Sequence, residues 1–335
     1  MRLVPIRQFS SAAELAQIEV SLETAQADRK LALFVDLAWQ LRQVDCGRAR
    51  DLCAQARQLI LTSTNDSLAQ QHLARLCLVE GEVALLHGDA DRARAWCDEG
   101  RAGFERCGDA LGSGDAEWLN ASIFPEQGRQ AELDQAMARA VESYRRTDDA
   151  MRLKAAQARS WTLAAFVDAQ AAARGMAEEL GPCEDCSDGV RAWVESAQAT
   201  IAALMNRLGD SIKHDLQAHM LCERSGQVRQ AMISASNASE GFVTLGDLDA
   251  ALEWSERALS TARASGWPAL IAVCQRQTGD VLRLLDRPEQ AAELLSLAVA
   301  TMQTLGASRN KGEVLHSLGR LELEDKRFEI GRAHV

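Results

Sequence analysis

Residues 234–258 read SASNASEGFVTLGDLDAALEWSERA, and residues 274–298 read CQRQTGDVLRLLDRPEQAAELLSLA. Laid over one another 40 residues apart, they set Ser239 on Gly279, Ala251 on Ala291 and Ala258 on Ala298. A third copy, VLHSLGRLELEDKRF at residues 314–328, continues the register with Gly319. In each first helix the small residue marks a point where a partner helix crosses closely, and the paired alanines of each second helix share one face. Between the helices, Gly246 offers a left-handed C-terminal cap and Asp247 caps the helix that follows. The second unit uses Asp286-Arg287-Pro288, with proline at the helix start. A helix-turn-helix pair repeated in tandem predicts an all-α solenoid.

Working outward, Gly81, the turn Gly88-Asp89, Ala93 and Gly100 fit the same template, and so do Ala38, Ala49 and Ala56 with one residue less in the turn. Helices are expected to continue through 118–124, 131–144, 153–180 and 190–205, where the small-residue signature weakens. The polar stretch Leu180-Gly181-Pro182-Cys183-Glu184-Asp185-Cys186-Ser187-Asp188-Gly189 reads as a joint between two halves. The expected organisation is repeats over 1–180, degenerate in the middle, a loop at 181–189, and repeats of 40-residue period over 190–328. Residues 329–335, EIGRAHV, read as translated sequencing adapter. On that reading Asp325-Lys326-Arg327-Phe328 is a turn, and the natural chain continues past it.

Composition agrees with a solenoid. Only five prolines interrupt 335 residues, of which 47% are hydrophobic and 25% charged. A net charge of −11 excludes general nucleic-acid binding, which needs a basic stripe. No apolar run is long enough for a membrane span and Met1–Ser10 lacks an apolar signal core, so a cytoplasmic protein is expected. Nine cysteines, mostly in helical stretches, read as small buried hydrophobes.

With Gly at the close crossing, Phe242 one turn later and paired alanines behind, the chain resembles the tetratricopeptide repeat (TPR) family, which implies a right-handed α-solenoid of antiparallel helix pairs. Residues 246–295, notably Ala250-Ala251-Leu252-Glu253-Trp254, Ser265-Gly266-Trp267-Pro268 and Cys274-Gln275-Arg276-Gln277-Thr278, further resemble the helical N-terminal region of bacterial diguanylate cyclases. In those proteins the array precedes a GGDEF domain that makes cyclic di-GMP. No two glycines are adjacent in this sequence, so the Gly-Gly-Asp/Glu-Glu-Phe loop is absent and no cyclase activity resides in these residues.

The resemblance implies a concave binding face from the first helix of each pair, with Asn237, Arg276, Gln277, Arg283 and Arg320 as peptide-binding candidates. Ser236, Glu240, Asp280 and His316 lie on the same face. Asn237 matches the family's carboxamide clamp for an extended ligand, and the three arginines suit carboxylates or phosphate. The preferred bland reading is that those arginines form a solvated face with local glutamates.

Cys183-x-x-Cys186 has half the spacing of a thiolate metal site, but no second pair accompanies it. Ordinary loop cysteines are expected, and a homodimer sharing one metal is the arrangement that would complete such a site. His214 and His219, five apart, fall on different helical faces and read as surface or capping residues. Phosphate loops and nucleophile elbows are absent, so no catalytic residue, cofactor or metal is assigned. Trp39, Trp96, Trp118, Trp161, Trp193 and Trp254 read as solenoid core, and Trp267-Pro268 as an inter-repeat turn. The expected function is a non-enzymatic regulatory scaffold for a protein or peptide, the sensory arm of a bacterial signalling protein. The alternatives are a stand-alone adaptor or the sensor arm of a large transcriptional activator.

Overall fold

The computed structural model describes residues 6–61, 66–305 and 309–332, and every regular element among them is helical. The order is α1 (Ala12–Thr24), α2 (Ala27–Leu41), α3 (Cys46–Ile60), α4 (Asp66–Leu86), α5 (Ala90–Cys107), α6 (Ala110–Ile123), α7 (Gln130–Arg145) and α8 (Ala150–Ala165). It continues with α9 (Ala169–Leu180), α10 (Asp188–Leu204), α11 (Leu208–Arg224), α12 (Val228–Leu245), α13 (Leu248–Ser265), α14 (Pro268–Leu284), α15 (Pro288–Thr304) and α16 (Arg309–Arg332). From α2 onward successive helices pack as antiparallel hairpins, giving a right-handed α-solenoid of TPR-like pairs. Even-numbered helices touch one another along the stack and form its inner layer. No described helix is long and apolar enough to cross a membrane.

Local chemistry sets the hairpins. Asp45, Asp89, Asp109, Asp149, Asp168 and Asp247 each stand before a helix and accept a hydrogen bond from the backbone N–H three residues on, at 2.9–3.1 Å. Gly246 ends α12 with φ +82°, a conformation costly for any residue with a Cβ. In the next unit Asp286 takes that role with φ 57°, so the turn geometry survives the loss of glycine.

The 40-residue register is visible in the packing. Ser239 Oγ donates to the carbonyl of Ala251 at 2.8 Å, and a Cβ on Gly279 would sit 2.9 Å from Leu295 Cγ and 3.4 Å from the Ala291 carbonyl. Gly81 faces the Ala93 carbonyl in the same manner, at 3.2 Å. Each contact joins a residue to a carbonyl twelve positions later.

Four expectations are corrected. The run 153–180 is two helices, because Asp168 caps a new one after Phe166 and Val167. The turn at 325–328 does not form; the run of helix-forming residues after Glu322 keeps the backbone helical to Arg332. Gly319 accordingly meets no atom of the described residues within 4 Å, since α16 runs straight on past it. His219 is not a surface residue: it is 1% exposed, and its Nδ1 lies 2.9 Å from the Ala231 carbonyl, twelve positions on, at the close crossing of α11 and α12.

The loop between α9 and α10 holds a further difference, a disulfide between Cys183 and Cys186, not two ordinary thiols. The turn of the intervening residues sets their Cα atoms 5.1 Å apart, within bonding range. Apolar packing runs past this loop, because Met176 and Leu180 share a cluster with Val194 and Ile201.

The stack also closes on itself. Leu86 of α4 lies in one cluster with Met232, Ala235 and Trp267, and the Arg229 N–H donates to Gln43 Oε1 at 3.1 Å across 186 residues of chain. The first repeats therefore face α12 and α14 across a narrow interior.

Candidate functional site

Successive inner helices are bridged by polar side chains at nearly the repeat spacing. Arg42 meets Glu82, Arg75 meets Asp115, Arg159 meets the Trp118 carbonyl, Gln277 meets the Ser236 carbonyl and Arg283 meets Glu324, with separations of 40 or 41 residues. Between α10 and α12 the spacing shortens to 34, as Trp193 donates to Gln227 and Gln230 to Ser196. The inner surface is thus a ladder of cross-helix contacts, and what it offers a ligand depends on which groups the ladder already uses.

At the C-terminal end of the groove, two of the three candidate arginines are committed. Arg276 pairs with Asp280 at 3.1 Å and Glu313 at 3.5 Å, and Arg283 Nη1 is shared between the two carboxylate oxygens of Glu324, 3.0 Å from each. Gln277 is buried and donates to the Ser236 carbonyl at 2.7 Å. Asn237 and Arg320 are exposed, as are Glu240 and His316. Asn237 lies beside Asp215 of α11, which is 3% exposed. Burial pushes Asp215 up to about 8, against the effect of the neighbouring Asn237 and with help from nearby Glu240. Desolvation also raises Glu240, with Arg276 opposing and Glu313 and Asp280 adding to the shift. Among the described residues, carboxylates outnumber guanidinium groups in this groove, which disfavours the carboxylate or phosphate ligand that the arginines alone suggested.

The central part of the inner face is organised differently. Asp115 of α6 is buried and gathers Arg75 of α4, Arg152 of α8 at 2.9 Å and the Tyr144 hydroxyl at 2.7 Å. Burial opposes its charge, but the two guanidiniums win and hold the carboxyl below its ordinary value. Arg42 and Arg75 lie over the ring of Trp39, 3.9 and 4.5 Å from its centroid. Trp118 and Trp193 meet edge to face at 4.8 Å and are half-buried, so these two line the interior and are not sealed in the core. Arg159, under both rings, donates to the Trp118 carbonyl and to Ser122, and burial depresses it to about 9. Sequence reasoning missed this region. Its only signal was an excess of Arg and Trp on inner helices, which reads equally well as core.

No family model matches the chain, and no curated protein does. Among solved structures it is similar to a Rap protein complexed with Competence and Sporulation Factor, with a TM-score of 0.52 and 12% identity over 93% of this chain and 92% of that one. It also aligns with Cut9–Hcn1 of the APC/C hetero-tetramer (0.47, 16% identity, 94% and 60%). A third alignment is with a signal transduction ATPase carrying a tetratricopeptide repeat sensor, from Pyrococcus horikoshii (0.45, 12% identity, 97% and 54%). At these identities the first likeness is one of fold, a helical-repeat superhelix of matching length.

Proposed function

We propose that this protein is a regulatory scaffold that binds a protein or peptide segment in its concave groove and carries out no catalysis of its own. The observation that supports this is the inner face of α12, α14 and α16, where Asn237, Glu240, His316 and Arg320 are exposed along one groove while Arg276, Gln277 and Arg283 hold the helices in register. A partner meets Asn237 and Arg320 first, and the surplus of carboxylates favours a basic or neutral segment over an acidic one. A protein of similar fold that is complexed with a Competence and Sporulation Factor lends support to a ligand-holding role.

On the resemblance of residues 246–295 to the helical arms of diguanylate cyclases, we propose that the scaffold transmits binding to a GGDEF output domain. Nearest-neighbour interfaces in a solenoid flex, so a ligand in the groove changes superhelical pitch and repositions what is attached. Genomic sequence across the Phe328 codon tests the output: a GGDEF-coding continuation supports it and an early stop refutes it. Groove binding is tested by fluorescence anisotropy with two sets of labelled ten-residue peptides, one of net charge about +3 and one about −3, the charge contrast being the variable that complementarity predicts to matter. Binding confined to the basic set, lost in Glu240→Lys and Glu313→Lys, is expected; preference for the acidic set would overturn it.

A further inference from the structure

Residues 6–10 run as non-helical chain along the inner face before Ser11 caps α1. Their backbone carbonyls are taken one after another by side chains of the inner helices. Arg152 of α8 donates to the Ile6 carbonyl at 2.6 Å. Trp39 Nε1 and Gln40 Nε2 of α2 both donate to the Arg7 carbonyl, at 3.0 and 2.8 Å, and Arg42 Nη2 reaches the Gln8 carbonyl at 3.4 Å. Phe9 then turns its ring toward Trp118, 6.4 Å between centroids, and packs where Gly189 of α10 has no side chain: a Cβ there would lie 2.6 Å from Phe9 Cβ. The donors come from residues 32 to 146 positions away, so this is a tertiary binding arrangement and not a local turn.

Three features suit the arrangement to a type of ligand more than to this particular segment. The clamps read carbonyls, which every peptide carries, and the side chain of Arg7 remains exposed. The aromatic slot is specific, yet a cavity of about 40 Å³ remains beside Phe9, lined by Trp118, Trp193, Gln227 and Arg229. Gln8 is 7% exposed and its Oε1 has no hydrogen-bond partner among the described residues, a buried acceptor left unmet. An apolar residue at that place removes the defect.

We propose that this channel is a second peptide-binding site, for an extended segment of a protein partner carrying an apolar residue followed by Phe, and that residues 6–10 are its tethered resident occupant. The buried donors of Arg42 and Arg152 demand carbonyls when the resident leaves, which is why the incoming ligand is an extended peptide and not an apolar helix. The tether acts as a threshold: the direct join to α1 at Ser11 holds the resident at an effective concentration on the order of millimolar or above, so a partner competes only with higher intrinsic affinity or after the resident is weakened. This site meets the α12–α16 groove only at the N-terminal end of α12 and touches none of Asn237, Glu240, His316 and Arg320, so its failure would leave that reading untouched.

The test uses the full chain and two synthetic peptides, PIRQFSSAA, copied from residues 5–13, and PIRLFSSAA, with leucine at the place of Gln8. Amide hydrogen exchange of the unmodified protein is followed with millimolar peptide. The expected result is faster exchange at residues 6–11 while α6 and α10 keep their protection, with PIRLFSSAA acting at about tenfold lower concentration than PIRQFSSAA and a third peptide, PIRQASSAA, inert. In Phe9→Ala, or in Phe9→Leu should the alanine variant fold poorly, labelled PIRLFSSAA binds at least tenfold tighter than in wild type. Unchanged exchange at 6–11 at saturating peptide, or equal binding by wild type and the Phe9 variant, would overturn the proposal.

Discussion

Replacing Asp215 by asparagine removes a buried acid that the fold keeps protonated. Asp215 has an ordinary value of 3.8 and is pushed up to about 8 in the folded chain, chiefly by burial in α11 against α12. Between those values the native state holds a proton that the unfolded state has released, so this group's contribution to stability falls as pH rises, by about 1.4 kcal/mol per pH unit. From pH 5 to pH 7 the loss is roughly 2–3 kcal/mol, and it levels off once pH passes the folded value. The introduced carboxamide copies the shape of the neutral acid, does not titrate and still lies beside Asn237. The expected outcome is that D215N is more stable than wild type by about 1.5 kcal/mol at pH 5 and by about 4 kcal/mol at pH 7, a gap that widens by roughly 2–3 kcal/mol through the window. Urea unfolding of both proteins at pH 5, 6, 7 and 8 measures this difference directly, and subtraction cancels the carboxylates common to both. A difference that stays constant across the four pH values would refute the assignment of a protonated Asp215.

Gly279→Ala places a methyl group 2.9 Å from Leu295 Cγ and is expected to lower stability by about 1–3 kcal/mol, whereas Gly319→Ala meets no atom of the described residues within 4 Å and should leave stability unchanged or raised by up to ~1 kcal/mol. Equal effects in thermal melts would show that the two glycines are equivalent after all. Asp115→Asn strands the buried guanidiniums of Arg75 and Arg152 and should cost about 3–5 kcal/mol at neutral pH. Because the Asp115 carboxyl is held below its ordinary value, its contribution is present above the carboxylate range and lost as pH falls, so the gap between wild type and D115N must narrow on acidification. Thiol titration of the denatured, unreduced protein should find seven reactive groups, rising to nine after reduction, and reduction should shift stability by no more than ~2 kcal/mol because the bridge closes a very short loop.

Much of the architecture was legible in the sequence because its determinants are local. Helix hairpins follow from helix-forming residues punctuated by an aspartate cap after a left-handed glycine, and each close crossing links residues twelve apart, as Ser239 does with Ala251. Nearest-neighbour stacking then repeats every 40 residues, a separation that pattern comparison can detect. Identity at the close crossing was less legible, since a buried imidazole at His219 fills the place held elsewhere by glycine or serine. The concave candidates were found on the expected inner helices, but the ladder that commits Arg276 and Arg283 was not legible, because charge in a sequence does not reveal its partner.

What only the tertiary structure decided arises from the rotation that accumulates over many repeats. That rotation brings Gln43 to Arg229 and Arg152 to Ile6, separations of 186 and 146 residues, and so encloses Asp115, the Trp118–Trp193 pair and the N-terminal segment. Each hairpin contributes a small turn set by its own packing, and only their sum fixes where the two ends meet. The sequence therefore determined the repeating unit, and the superhelix determined what lies inside it.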